Sequence, residues 1–257
     1  MRIPAVLALP LPALPLPALL LPALALLALP LLTGGCAAIR PVEMRLPSAL
    51  AANSARLPVE GIGGWTHGRF RTGDYTGGYE RSEERLAFFD TFIRNSGHAD
   101  FTIAGPGISS TIEAACRMRE RVLDLDIMEF TPGPMAFRCE FTADGRAIPA
   151  RFELQEVRSG IGGALSREER RGEIALGGEI VQIRSVHKLE GSPIEMASPI
   201  GYVFEQDGRP VGAVEINGSP VIFVGDLTDQ GLARTITVGA MALAIFWDPA
   251  NSALDGD

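Results

Sequence analysis

Short runs of alternating apolar and polar residues dominate the chain from about residue 65 onward. Phe137, Cys139 and Phe141 alternate with charged residues, and similar alternation recurs in 147–157 and 179–189. A period of two residues places alternate side chains on opposite faces of a β-strand. The same alternation in the rest of the chain predicts about eleven short strands in total.

Turn-forming dipeptides separate many of these runs. Asp144-Gly145, Gly177-Gly178, Asp207-Gly208 and Asn217-Gly218 each stand between two predicted strands. These residue pairs tolerate the positive φ angles that tight hairpin turns require. Hairpin connections join antiparallel strands, so the pattern predicts a mainly β (α+β) fold, an antiparallel, hairpin-rich barrel or sandwich.

Two segments predict helices. Ser110-Thr111-Ile112-Glu113 has the spacing of a capping box, which predicts a short helix ending near Arg121. Residues 230–247 predict a second helix whose last part, 238–247, is apolar on every side. Such a helix belongs in a core, and it is too short to cross a bilayer. The side chains expected to fill the core are Ile236, Met241, Leu243, Ile245 and Phe246.

Many hairpin strands followed by one apolar terminal helix resemble the tubby-like barrel. The resemblance covers about 65–247 and implies strands that close around the C-terminal helix. A β-sandwich or open barrel with the helix packed on one face is the alternative. A barrel filled by a helix leaves no lumen for a ligand. The family's phosphoinositide binding requires a basic patch that this sequence lacks, so that ligand is not carried over.

The first 35 residues differ from the rest, because Leu, Ala and Pro make up most of them. Arg2 gives a positive start, and 3–32 is almost wholly apolar. Seven prolines interrupt this run, and each removes a backbone donor that a membrane-spanning helix needs. The segment therefore predicts a cleaved export signal at 1–35.

The residues that end this segment resemble the lipobox of bacterial lipoproteins. Gly34 and Gly35 precede Cys36, although Thr33 occupies the place where the family usually has Leu. The resemblance implies an acylated Cys36, carrying palmitate or a similar chain, and Ala37 after it implies the outer membrane. On this interpretation 36–64 is a lipidated tether and 65–257 a single β-rich domain facing the periplasm.

Two other N-termini remain open. Cleavage after Ala38 would release a soluble protein, and initiation at Met44 would leave the protein in the cytosol.

The cysteine count predicts a disulfide. Export places the domain in an oxidising compartment, and lipidation of Cys36 leaves the pair Cys116 and Cys139. Cys116 would share a helix face with Ile112 and point into the same core as Cys139. Two free, buried thiols are the alternative.

Charge excludes one class of partner. The net charge of −8 becomes about −9 once Arg2 is removed with the signal, and no basic block is present. This composition argues against binding nucleic acid or anionic lipid.

The candidate catalytic groups are few. His67, His98 and His187 lack partners at zinc-ligand spacing, so no metal or cofactor is expected. Ser185-Val186-His187-Lys188 matches the Ser-x-x-Lys pattern, but in a strand its serine and lysine point to opposite faces.

One acidic cluster is a further candidate. Asp124 and Asp126 would share a face of a strand, with Glu129 nearby, as acid–base chemistry requires. A strand with one solvated face explains the same alternation, and this interpretation is favoured.

The sequence therefore predicts a membrane-anchored envelope lipoprotein with a non-catalytic binding or structural domain. Its partners would be the membrane, through the lipid anchor, and another envelope protein. One alternative is an envelope enzyme with a dispersed site at Asp124, Asp126 and His187. The other is a carrier of a small apolar ligand, which would need an empty barrel.

Overall fold

The structure is a computed structural model that describes residues 43–63, 66–88, 92–124, 129–157 and 167–248. These residues belong to one compact unit, 41–257. Its elements are two helices and twelve strands, in the order α1 (Ser48–Ala52), β1 (Ser54–Pro58), β2 (His67–Thr72), β3 (Tyr75–Phe88), β4 (Phe92–Ile103), β5 (Ile112–Asp124), β6 (Glu129–Ala143), β7 (Arg146–Glu156), β8 (Arg170–Leu176), β9 (Glu179–Val186), β10 (Gly201–Gln206), β11 (Arg209–Glu215), β12 (Val221–Gly225) and α2 (Gln230–Ile245).

The twelve strands form one antiparallel sheet that curls into a nearly closed barrel. Strands β2 to β12 follow one another as a meander, and β1 adds to the far side of β12. Two-residue turns with positive φ join several neighbours, at Asp144-Gly145, Gly177-Gly178 and Asp207-Gly208. The predicted mainly β, hairpin-rich barrel with a C-terminal helix is confirmed.

A short seam closes the barrel between its edge strands, β1 and β2. The backbones of Glu60 and Arg71 exchange two hydrogen bonds of 2.8 and 3.0 Å. The Arg71 guanidinium also donates to the Glu60 carboxylate at 2.7 Å, and the Thr72 hydroxyl donates to the Leu57 carbonyl at 3.2 Å. Few contacts therefore hold the two edges, because β1 is only five residues long.

The C-terminal helix α2 fills the barrel. Every residue from Thr235 to Ile245 is buried, and most of the apolar side chains among them share one cluster with the inward faces of the strands. Asp229 begins the helix by accepting a hydrogen bond from the Leu232 amide at 2.8 Å. Phe246, just past the helix, stacks on Phe137 with ring centroids 4.3 Å apart. Neither helix in the described part of the chain is long and apolar enough to cross a membrane.

The N-terminal segment covers the outer face of strands β10 to β12. Met44 and Leu50 pack against Val203, Ala213 and Phe223 in a second apolar cluster. These three strands are therefore buried on both faces, with α2 on the inside and the N-terminal segment on the outside.

The predicted tether is wrong from Glu43 onward, because these residues belong to the folded domain. The predicted domain boundary between residues 64 and 65 is therefore wrong as well. Pro47 precedes α1, and Pro58 ends β1 at an edge of the sheet, where proline removes no needed ladder bond. The prolines that suggested a tether therefore bound two short elements of the barrel. Residues 36–42 lie outside the described part of the chain.

The helix predicted at 110–121 is also wrong, because this segment forms β5. Ile112, Ala114, Cys116 and Met118 are buried, whereas the residues between them are exposed. A period of two is a strand pattern, and it outweighs the capping-box spacing at the start of the segment. The short helix of this fold is instead α1.

Candidate functional site

A layer of polar side chains lines the inside of the barrel at one end. It comprises six residues, named here the polar ring: Asn95, Glu120, Glu156, Arg170, Ser185 and Tyr202. Backbone register pairs Asn95 with Glu120, Glu156 with Arg170, and Ser185 with Tyr202. The layer thus crosses β4 and β5 and then β7 to β10.

The polar ring occupies positions that the strand period assigns to the core. In β7, Glu156 follows the buried Phe152 and Leu154 at intervals of two. In β8, Arg170 precedes the buried Ile174 and Leu176 by four and six residues, so it lies on the same face of the strand. The polar ring lies where α2 ends, and we name this the ring end of the barrel; α2 begins at the far end.

Arg170 is the centre of the polar ring. Its guanidinium donates to both carboxylate oxygens of Asp248, with Nη2 and Oδ1 2.8 Å apart. It also donates to the Tyr202 hydroxyl at 3.3 Å and to the Glu168 carboxylate at 3.2 Å. Because Asp248 follows α2, this buried ion pair fastens the end of the central helix to β8.

A second arginine holds the same helix end. Arg81 donates to the carbonyls of Ile245, at 3.3 Å, and Gly63. Its guanidinium lies over the Trp247 ring, 4.7 Å from the centroid. Positive charge beside the last carbonyls of a helix is favourable, since these carbonyls carry the negative end of the helix dipole.

Four carboxyl groups surround the single Arg170 guanidinium. The pKa of Glu168 is raised to about 7, chiefly by burial; Arg170 opposes this rise, while Asp248, Glu156 and Glu120 contribute to it. Burial likewise raises the pKa of Glu120, and the hydrogen bond from the Asn95 amide, at 2.8 Å, counteracts this. One guanidinium cannot balance four ionised carboxylates, so Glu168 and Glu120 bind a proton more readily than exposed carboxylates do.

Arg170 and Tyr202 keep their usual protonation. Burial alone lowers the pKa of Arg170, but Tyr202 and the Asp248 carboxylate outweigh it and raise this pKa well above its ordinary value. Burial raises the pKa of Tyr202 to about 12. The arginine therefore stays charged and the tyrosine neutral at physiological pH.

Ser185 and His187 form a buried hydrogen-bonded pair next to Arg170. His187 Nδ1 lies 3.0 Å from the Met196 carbonyl, which can only accept, so Nδ1 carries the proton. Nε2 then accepts from the Ser185 hydroxyl at 3.0 Å. The Ser185 oxygen also accepts from the Arg170 amide at 3.0 Å.

His187 is neutral at physiological pH. Burial lowers its pKa, and Arg167 and Arg170 lower it further, while the hydrogen bond to Met196 opposes the shift. A neutral imidazole that accepts from a serine hydroxyl has the orientation of a general base beside a nucleophile. An adjoining cavity of about 350 Å³ has both residues in its lining, together with Arg45, Arg167 and Lys188.

The predicted disulfide Cys116–Cys139 is present. The two residues are direct neighbours on β5 and β6, with Cα atoms 4.0 Å apart. The Cys116 amide turns away from β6 and donates to the Asp100 carboxylate at 3.0 Å. The pairing is correct, although the predicted reason, a helix face shared with Ile112, is not.

The dispersed acidic site predicted at Asp124, Asp126 and His187 falls partly outside the described residues. Asp124 ends β5, four residues beyond Glu120, and Asp126 lies outside the described residues, as does Cys36. His187 forms hydrogen bonds with Ser185 and Met196. Lys188 pairs with Glu195 at 3.0 Å, so the Ser-x-x-Lys pattern does not form a catalytic pair.

The remaining histidines are in separate places. His98 contacts the Ser82 hydroxyl at 2.7 Å, and His67 contacts Thr66 at 3.2 Å. Within the described ranges, no group of three or more His, Cys, Asp or Glu side chains could hold a metal ion.

Arg170 and the carboxylates around it were not predicted from the sequence. The available signal was a charged residue at a core position of a strand, as at Glu156 and Arg170. In the sequence, Asp248 indicates only the end of the helix, because its partner Arg170 lies 78 residues earlier.

Comparisons of the chain with protein-family models, with curated proteins and with solved structures find no match.

Proposed function

We propose that the protein is a membrane-anchored envelope lipoprotein whose barrel is a non-catalytic binding or structural domain. The observation that carries this proposal is the filling of the barrel by α2. Small barrels bind ligands in their interior, and here packed side chains take that space. This argues against a carrier of small apolar ligands and leaves the outer surface and the ends of the barrel as the parts that meet a partner, an envelope protein or the membrane.

The anchor is the second part of the proposal. Cys36 follows an apolar export segment and two glycines, and it lies only seven residues before Glu43, where the described barrel begins. Each buried methylene of an acyl chain contributes about 0.8 kcal/mol, so two or three chains hold a protein on a membrane. The disulfide supports an exported domain, since such bonds persist in oxidising compartments.

We also propose a distant relationship to tubby-like barrels. Twelve antiparallel strands around a terminal apolar helix support it, and the argument rests on architecture alone. No ligand of that family is transferred to this chain.

Metabolic labelling with an alkyne fatty acid tests the anchor. We expect the wild-type chain, expressed in bacteria, to be labelled and to sediment with membranes, and Cys36→Ser to lose the label. The double variant Cys116→Ser/Cys139→Ser is the control and keeps its label, because those cysteines are joined in the core. Equal labelling of wild type and Cys36→Ser, or an intact N-terminal segment by mass spectrometry, contradicts the anchor.

A second candidate function is hydrolysis at Ser185. The observation that favours it is the hydroxyl of Ser185 donating to a neutral His187 beside a cavity. If Ser185 is a nucleophile, a fluorophosphonate probe labels wild type but not Ser185→Ala, and labelling falls as pH drops through the pKa of His187. Ser82→Ala, which removes the hydroxyl beside His98, is the control and keeps the label. Absence of labelling in the folded wild type removes this candidate.

A further inference from the structure

Most of the exposed large apolar side chains lie at the ring end of the barrel. Among the residues that the structure describes, six large apolar side chains are exposed. Two of them, Ile180 and Leu227, lie at the far end, beside the β8–β9 turn and before α2. The other four lie at the ring end, with these exposed fractions: Leu86 41%, Val157 37%, Ile194 68% and Met196 42%.

The connection that carries the most exposed of these four is firmly held. It joins β9 to β10, and its two sides meet where the Met196 amide donates to the His187 carbonyl at 2.8 Å. The His187 ring returns a bond to the Met196 carbonyl, and Lys188 pairs with Glu195. Ile194 is therefore held in an exposed position by a hydrogen-bonded loop, at the same end of the barrel as three other exposed apolar side chains.

The first described residues of the chain are hydrogen-bonded to the same loop. The Glu190 amide donates to the Glu43 carbonyl at 2.8 Å, and the Arg45 amide donates to the Lys188 carbonyl at the same distance. Seven residues of extended chain span at most about 25 Å, so an anchor at Cys36 keeps this loop within that distance of the bilayer.

Each of the three basic side chains beside the loop contacts a carboxylate. Arg45 faces Glu190, Lys188 contacts Glu195, and Arg167 contacts both Glu195 and Glu169, so three basic and three acidic side chains are paired. A balanced surface gains little from anionic headgroups, and the acidic chain as a whole is repelled by them. Apolar contact with a zwitterionic bilayer fits this surface better.

We infer that the ring end is a membrane-contact face, with Ile194, Met196, Val157 and Leu86 entering the interfacial region of the bilayer. The inference rests on the proposed lipid anchor at Cys36. A tether turns a weak apolar contact into an intramolecular one, so four exposed side chains are enough to orient the barrel. The polar ring and the Ser185–His187 pair then face the membrane, and the far end faces away from it.

Fluorescence of a single label tests this orientation. Cysteine replaces Ile194, Leu86 or, as a matched control, Leu227, which is equally apolar and fully exposed at the far end. Each full chain is purified from bacterial membranes, labelled with an environment-sensitive dye and placed in phosphatidylcholine–phosphatidylethanolamine vesicles that contain nitroxide-labelled lipid. All three positions are exposed, and circular dichroism verifies the fold.

We expect the labels at 194 and 86 to shift to the blue and to lose intensity to the nitroxide, while the label at 227 does neither. Vesicle-bound protein in which all three labels report water, or in which 227 is quenched as strongly as 194, overturns the contact face and leaves the anchor standing. Protein that fails to float with the vesicles overturns the anchor, and the contact face with it.

Discussion

At the scale of single residues, the unusual feature is a buried arginine among several carboxyl groups. Arg170 is almost fully buried, and an isolated charge in that position would be very unfavourable. The bidentate contact with Asp248 compensates for this. Asp248 is also buried, whereas Glu168 is one-third exposed and can exchange a proton with solvent.

Replacing Glu168 with Gln should change how stability depends on pH. The pKa of Glu168 is about 7 in the folded chain and near 4.5 in the unfolded chain. Between these values the folded chain holds the extra proton, so the free energy of unfolding falls as pH rises from 4.5 to 7. Glu168→Gln removes this fall, and urea unfolding at pH 5 and at pH 7.5 measures it.

The control for that measurement is Glu190→Gln, which removes a carboxylate that is largely exposed. His187 acts in the opposite direction, because its lowered pKa makes stability fall as pH drops below 6.5. It acts in wild type and in both variants, so it cancels in the comparison. Identical pH dependence in wild type and Glu168→Gln would show that this carboxyl is not perturbed by the fold.

At the scale of elements, two glycines, which have no side chain, allow the central helix α2 to lie close to strands β10 and β11. A Cβ atom on Gly212 in β11 would stand 2.7 Å from Ile236 Cγ2 of α2. A Cβ atom on Gly239 would stand 3.0 Å from the Phe204 ring. Both glycines therefore let α2 lie close to the strands, which is how a helix fits into a barrel of this size.

Leu243→Ala should show how much the barrel depends on its central helix. The side chain is buried among the strands, and its truncation leaves a cavity that costs about 2–5 kcal/mol of unfolding free energy. Leu227→Ala removes an equally large but fully exposed side chain and should change stability by less than about 0.5 kcal/mol. Urea unfolding of the three chains measures the difference. Equal stability of the two variants would contradict a helix-filled barrel.

At the scale of the whole molecule, the barrel brings both ends of the described chain to one place. The Met44 amide, near the first described residue, donates to the Glu215 carboxylate at 3.0 Å at the ring end. Asp248, the last described residue, pairs with Arg170 at the same end. The first described residues, the polar ring and four of the six exposed large apolar side chains therefore lie at one end, which is the end that would face the membrane under the proposed anchoring.

Local pattern was sufficient for much of the fold. The alternation in 137–141, the Asp-Gly and Gly-Gly turns and the uniformly apolar end of α2 depend on neighbouring residues only, and these predictions are confirmed. The pairing of Cys116 with Cys139 also followed from the number of cysteines in the chain. Local pattern failed in 43–63, since a five-residue strand at the seam is too short to show a period.

The polar ring and the closure of the barrel were decided only by tertiary structure. A charged residue at an inward position looks, in sequence, like an interruption of the strand; its meaning depends on partners such as Asp248, which is 78 residues from Arg170. The strand with which β1 pairs likewise depends on which edge of the sheet is free once the eleven other strands have paired. Short-range periodicity therefore determined the elements and the apolar core helix, whereas contacts between distant residues decided the site, because burial and charge pairing exist only after the sheet has closed.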